Sequence, residues 1–495
     1  MARSRWIQTV LRLTAVLLAM FLVAGCGGGG ESSTPDKPDD TDSAVSTTVS
    51  DTSTDDTTSA TDATTTATDD DDTTTTKKDD DTDSRVDEDT EPSDDEDEFV
   101  TVTSSYNEAK WASKFPVKPA VSAEQSALLI NNEKARDLQT AKVIPSQKGL
   151  VDAYDGKHGY RHHQGFTYFK GKYYASFSRG YESEDFPGQH AVVCSSEDGL
   201  TWSKPTVVGK PQLTRYRDND GNYLFSAESI IINGYLMTNG NQLFFYYMES
   251  APAAHMFVEE GLYSSPGDNI VNLWVKRYVC STEDGVNWSE PAEIAFAANE
   301  SPRKSLTGRY FQGTGSSLRY MDILDGFTFM TTGKPENHME FAQQNGALML
   351  TESSWYQLDN LIIRIIFRSN YRNGNFWMSE SYDNGKSMTL PYKTNFIASQ
   401  SMTNFGRLPD GRIYSVCTVD GDRWPLMLQI SEDGNTFDKG YIVQSEKYTA
   451  KKGGLGKGGQ YAYPEVFIHG EYMFICYSRC REIVEVSKIK LSDIK

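Results

Sequence analysis

A short run of residues, Ser195-Ser196-Glu197-Asp198-Gly199-Leu200-Thr201-Trp202, returns as Ser281-Thr282-Glu283-Asp284-Gly285-Val286-Asn287-Trp288. Two weaker copies follow, Ser381-Tyr382-Asp383-Asn384-Gly385-Lys386-Ser387-Met388 and Ser431-Glu432-Asp433-Gly434-Asn435-Thr436-Phe437. The local physics is that of a tight hairpin turn. The Asp carboxylate can accept the backbone N–H groups of its own turn, the glycine supplies a positive φ, and the aromatic residue folds back onto the hairpin. A turn repeated at intervals implies a supersecondary unit repeated at intervals, which is the signature of an array or a propeller. The carboxylates in these turns are read as structural.

The segments between the turns support an all-β chain. Gly165-Phe166-Thr167-Tyr168-Phe169, Tyr173-Tyr174-Ala175-Ser176-Phe177 and Tyr472-Met473-Phe474-Ile475-Cys476-Tyr477 are short aromatic and β-branched runs bounded by Lys-Gly, Asp-Gly or Asn-Gly. Helical periodicity is confined to a short stretch near Ala123 to Leu128. The repeated turns resemble the Asp-boxes of sialidase-type propellers, where they lie on the rim away from the catalytic face. That resemblance implies a sialidase-like β-propeller over residues 100–495. A four-stranded blade takes about 40–65 residues, so the length fits six blades.

What precedes residue 100 has a different composition. Arg3, Arg5 and Arg12 stand before an apolar run from Leu13 to Val23, the order of a secretory signal and too short for a comfortable membrane span. Leu22-Val23-Ala24-Gly25-Cys26 resembles the lipobox of bacterial lipoproteins, which implies cleavage before Cys26, lipidation there, and a protein held at the cell surface by its lipid alone. Residues 27–99 are Thr, Ser and Asp with hardly an apolar side chain, the composition of a solvated tether. Between 31 and 99 there are 26 acidic and 4 basic residues, a net of 4 − 26 = −22, against −21 for the whole chain. With +3 from the three leading arginines, the remainder carries −21 + 22 − 3 = −2. The acidity therefore belongs to the tether, and nothing recommends a nucleic-acid partner. Besides Cys26 the cysteines are Cys194, Cys280, Cys417, Cys476 and Cys480, an odd set without metal-type spacing, and Cys194 and Cys280 are read as core residues.

The sialidase resemblance extends to candidate site residues. Tyr160-Arg161-His162-His163-Gln164 stands where the family's first-blade arginine lies, with two histidines in place of Ile-Pro. Asp185, in the loop before the first Asp-box, corresponds to the family acid. Thr351-Glu352-Ser353-Ser354 and Ile365-Ile366-Phe367-Arg368-Ser369-Asn370 resemble the stretches bearing the catalytic Glu and the second Arg; Arg423 stands as the third Arg. Gln460-Tyr461-Ala462-Tyr463-Pro464-Glu465-Val466 resembles the nucleophile stretch, with Tyr463 in place. The resemblance implies that Tyr463 attacks, Glu352 takes its proton, Asp185 protonates the leaving oxygen, and Arg161, Arg368 and Arg423 clamp the substrate carboxylate. A sialic acid bears that carboxylate on its anomeric carbon and would repel a carboxylate nucleophile, which is why sialidases use tyrosine. Guanidinium suits the clamp because it is a planar fork that stays charged.

The His162-His163 pair also resembles that of some propeller polysaccharide lyases. In that alternative Arg161 or Arg368 acidifies the C–H beside a uronate carboxylate, His163 or His190 takes the proton, and Tyr463 protonates the leaving group. Strand alternation places at most one of His162 and His163 in a central cleft. A glycan-binding propeller without catalysis is the third alternative. The Gly453–Gly459 run reads as a mobile flap or a simple loop, not a phosphate loop. No cofactor is required by any of these readings, no metal ligands are assigned, and a structural calcium is the one ion entertained. The expected partner is an acidic glycan or polysaccharide, bound by a monomer.

Overall fold

A computed structural model describes residues 102–118, 122–217, 223–251, 274–296, 299–369 and 374–495. The export signal, Cys26, the tether and Asn370 lie outside the described residues. Two short strands lead in, β1 (Lys142–Val143) and β2 (Gln147–Asp152). The first sheet is β3 (Tyr160–Phe169), β4 (Lys172–Gly180), β5 (His190–Ser196) and β6 (Thr206–Gly209), followed by a separate hairpin of β7 (Leu213–Arg217) and β8 (Tyr223–Glu228). The second sheet is β9 (Ile230–Thr238), β10 (Leu243–Ser250), β11 (Val275–Thr282) and β12 (Ala292–Glu293). The third is β13 (Arg303–Lys304), β14 (Tyr310–Gly313), β15 (Leu318–Met321) and β16 (Met330–Thr331). The fourth is β17 (Leu350–Gln357), β18 (Ile363–Ser369), β19 (Asn375–Ser381) and β20 (Tyr392–Ile397). The fifth is β21 (Asn404–Arg407), β22 (Ile413–Thr418), β23 (Leu426–Ser431) and β24 (Lys439–Gln444), with β1 added in parallel to β24. The last sheet takes β25 (Tyr461–His469), β26 (Tyr472–Arg479) and β27 (Ile483–Lys490) from the C-terminal end and β2 from the N-terminal end. Joining both ends of the domain in one sheet ties its N-terminal strand to its C-terminal strands by backbone hydrogen bonds.

Each Asp turn is built as its sequence requires. Asp198 Oδ1 accepts from the N–H groups of Leu200 at 2.8 Å and Thr201 at 2.7 Å; Asp284 Oδ1 accepts from Val286 and Asn287 at 2.8 Å each. These bonds hold the Asp198 carboxyl down at about 2. A fifth turn, missed in the sequence, has the same pattern: Asp325 Oδ1 accepts from Phe327 at 2.8 Å and Thr328 at 2.7 Å. Its signal was present in Asp325-Gly326-Phe327-Thr328, shortened by the absence of the leading Ser-x-Glu.

The turns also fasten one sheet to the next. A Cβ on Gly285 of the second sheet would stand 1.9 Å from the Tyr174 hydroxyl of the first, and one on Gly199 of the first sheet 2.5 Å from Phe474 of the last. Gly326, Gly385 and Gly434 meet Phe244, Phe311 and Leu358 of the sheet before theirs in the same way. Only a residue without a side chain permits that approach, and the Gly199 contact closes the circle from last sheet to first. Between sheets lie the apolar clusters, such as Phe166, Phe177, Cys194, Phe474 and Cys476 between the first and last. All five described cysteines are free and buried. The expected short helix runs from Ala123 to Leu129, capped by Ser122.

Candidate active site

Three inner strands carry the same defect. The pairing register slips between His162 and Gly165 in β3, between Thr351 and Ser354 in β17, and between Ala462 and Glu465 in β25. The residue inside each bulge has a left-handed backbone: His163 at φ 59°, Glu352 at 49° and Tyr463 at 51°. Such a conformation costs on the order of 1–3 kcal/mol for a residue with a side chain, and it persists where the surrounding structure imposes it. All three side chains line one cavity, with Asn233, Tyr235, Tyr246 and Glu465 around them. The bulge also overrides strand alternation. His162 and His163, expected on opposite faces, have ring centroids 4.4 Å apart, and both pack on Tyr463, at 4.1 and 5.4 Å.

Tyr463 donates its hydroxyl hydrogen to Glu352 Oε1. Arg368, from β18, donates from Nη1 to Glu352 Oε2 at 2.6 Å and to the Tyr463 oxygen at 3.2 Å. The three side chains are buried. A phenol with a carboxylate on its proton and a cation beside its oxygen is an activated nucleophile in form.

Arg423, in the β22–β23 connection, is also left-handed, at φ 54°. Its Nη2 donates to the Gln400 carbonyl at 3.0 Å, and its buried Nη1 has no hydrogen-bond partner among the described residues. Burial and then Arg481 bring its guanidinium down to about 10, so it is still charged at neutral pH. Arg481, which sequence reasoning missed, sits in the β26–β27 turn at φ 49° and donates to Glu184 and to the Gly456 carbonyl. Nothing distinguished it in the sequence beyond being one of two arginines in Arg479-Cys480-Arg481-Glu482.

Arg161 is corrected. Its guanidinium is fully buried, where Nε donates to Asp152 at 2.6 Å and Nη1 to the carbonyls of His158 at 2.6 Å and Glu482 at 3.2 Å. Asp152, at the end of β2 in the last sheet, holds the side chain, so Arg161 braces the first sheet against the last. His190 is likewise engaged elsewhere, edge-on to His158 at 5.5 Å with Nδ1 3.3 Å from the Gly188 carbonyl oxygen.

Asp185 lies in the β4–β5 loop at φ 56°, its amide donating to Gln189 Oε1 at 3.1 Å. Its Oδ1 is buried without a hydrogen-bond partner among the described residues. Burial and then the neighbouring Glu184 push its carboxyl well above the usual range. A buried carboxyl whose proton affinity is raised in this way has the character of a general acid. The glycine-rich run is a brace, not a flap. Leu455 exchanges backbone and side-chain hydrogen bonds with Glu184 and Ser183, 3.0 Å each, and a Cβ on Gly456 would stand 2.6 Å from Glu184.

A family model described as a BNR repeat-like domain matches residues 191–475, more than half of the chain. The chain belongs to this BNR repeat-like family. A second model, for an N-terminal beta propeller, matches residues 132–247 of the BNR protein and thus covers His162, His163 and Asp185. No curated protein sequence matches it. Among solved structures, it is similar to a sialidase at 17% identity and a TM-score of 0.50, over 73% of this chain and 34% of that one. The BNR chain thus spans about a third of that sialidase. Others are a protein of unknown function from Dyadobacter fermentans DSM 18053 (14% identity, TM-score 0.48, 70% and 98% covered) and a K499G mutant of NanB sialidase from Streptococcus pneumoniae (11%, 0.48, 70% and 71%). At these identities the likeness is one of fold: this is a sialidase-like β-propeller.

Proposed function

We propose that this protein hydrolyses terminal acidic sugars from extracellular glycans with retention of configuration, through Tyr463. The observation that carries the reading is the Tyr463–Glu352–Arg368 triad, whose phenol is hydrogen-bonded to a carboxylate with one guanidinium beside its oxygen. Tyrosine as nucleophile makes sense for a sugar whose anomeric carbon bears a carboxylate. Tyr463 oxygen bonds to that carbon as its proton passes to Glu352, and Asp185 protonates the departing glycosidic oxygen. Water then displaces Tyr463 with Asp185 as base, and the phenolate recovers its proton from Glu352. Arg368 and Arg423 hold the substrate carboxylate, and Arg481 stands third in place of Arg161. The lipobox-like leader and acidic tether fit a cell-surface lipoprotein acting as a monomer on extracellular polymers.

A lyase is the second reading. It is favoured by His163, which stands at the bulge position that carries Glu352 and Tyr463 in the other two strands. Incubation with acidic glycans decides: a free 2-keto acid supports hydrolysis, an ultraviolet-absorbing unsaturated uronate supports elimination, and binding without either product leaves a glycan-binding module.

A further inference from the structure

The histidine pair has a second property that neither reaction uses. His162, His163 and Glu184 each bring one ligand-type atom to a common point, all within 4.8 Å of one another. They come from two places, the β3 bulge and the β4–β5 loop, and the left-handed backbone of His163 is what turns consecutive rings to one side. His162 is fully buried and its Nδ1 lies 3.0 Å from Ser478 Oγ, which fixes the ring and leaves Nε2 directed away. That Nε2 is buried and has no hydrogen-bond partner among the described residues. A buried imidazole nitrogen is normally paired, and metal-binding histidines are held through their other nitrogen in this manner.

We propose that His162, His163 and Glu184 form a binding site for a divalent cation of the zinc class, taken up in exchange for the Arg481–Glu184 ion pair. Two imidazoles and one carboxylate select zinc, nickel or copper over calcium and magnesium, which prefer all-oxygen shells. Arg368, Arg423 and Arg481 oppose a cation here. Glu352 already offsets Arg368, whose Nη1 donates to it at 2.6 Å.

The test is zinc binding by the full, chelator-stripped chain, followed by calorimetry with zinc chloride and independent of turnover, so that its failure leaves the hydrolytic reading untouched. One equivalent is expected, not displaced by equimolar calcium or magnesium. His163→Ala and Glu184→Gln should each weaken it by more than about tenfold, while His158→Ala should not. Should His163→Ala fail to fold, the isosteric Glu184→Gln carries the comparison. With cobalt chloride in place of zinc, a visible d–d band lost in Glu184→Gln is the spectroscopic counterpart. No stoichiometric zinc, or zinc retained by Glu184→Gln, overturns the proposal.

Discussion

Tyr463 and Glu352, 111 residues apart in the chain, share a hydrogen bond because equivalent bulges in two different sheets turn both side chains into one cavity. Removing the hydroxyl alone tests what the bond is for. Tyr463→Phe keeps the ring and its packing on His162, and it should lower turnover by about 10³-fold or more with the melting temperature nearly unchanged. Steady-state rates on an acidic glycan beside a thermal melt make the comparison; a Phe variant with wild-type turnover removes Tyr463 from the mechanism.

Arg161 and Arg481 should separate cleanly. Breaking the buried Arg161–Asp152 pair with Arg161→Ala should cost about 3 kcal/mol of stability, read from the denaturant midpoint. Arg481→Lys keeps a cation but loses the planar guanidinium whose Nη1 reaches both Glu184 and Gly456, and its effect should fall mainly on KM. If Arg161→Ala leaves the midpoint in place and raises KM, the clamp includes Arg161 after all.

The Asp turns are staples rather than catalysts. Gly285→Ala puts a methyl 1.9 Å from the Tyr174 hydroxyl at a backbone φ of 75°, and should destabilise the fold by about 1–3 kcal/mol while turnover per folded molecule holds. A lower specific activity in the folded fraction would contradict a purely structural turn.

The architecture was legible because its determinants are local. Asp198, Gly199 and Trp202 specify a turn by their own chemistry, and recurrence of that turn specifies the array. Site residues were legible only as far as order along the chain reports position: Glu352, Arg368, Arg423 and Tyr463 gather as their order implies. Arg161 was misplaced because its order along the chain does not report which way its guanidinium turns, and the nearby Asp152 and the carbonyls of Ala153 and His158 hold it. That only one of His162 and His163 lines the cavity was legible, but not that their rings meet, because period-two alternation assumes an unbroken strand and a bulge held by tertiary packing breaks it. Arg481 and the brace from Gly453 to Gly459 became visible only through what touches them.

Glu465, two residues beyond Tyr463, gives the fold a pH dependence of its own. It is buried, accepts from the Ser301 amide at 3.0 Å, and has Asn404 Nδ2 at 3.4 Å. Burial, and then the nearby Glu300, push its carboxyl up to about 8, with Arg303 opposing. In the unfolded chain the same group ionises near the usual glutamate value of about 4.3. Below that value both states hold the proton and the stability is fully present. As pH rises toward 8 the unfolded chain releases its proton while the native one keeps it, so stability falls by up to about 1.4 kcal/mol per pH unit. Glu465→Gln retains the amide contact and cannot ionise. Its denaturant midpoint should therefore gain on the wild type steadily from about pH 5 to about pH 8, and level off above. Parallel curves for the two proteins across that window would mean that Glu465 is ionised in the native state, with Arg303 prevailing over burial.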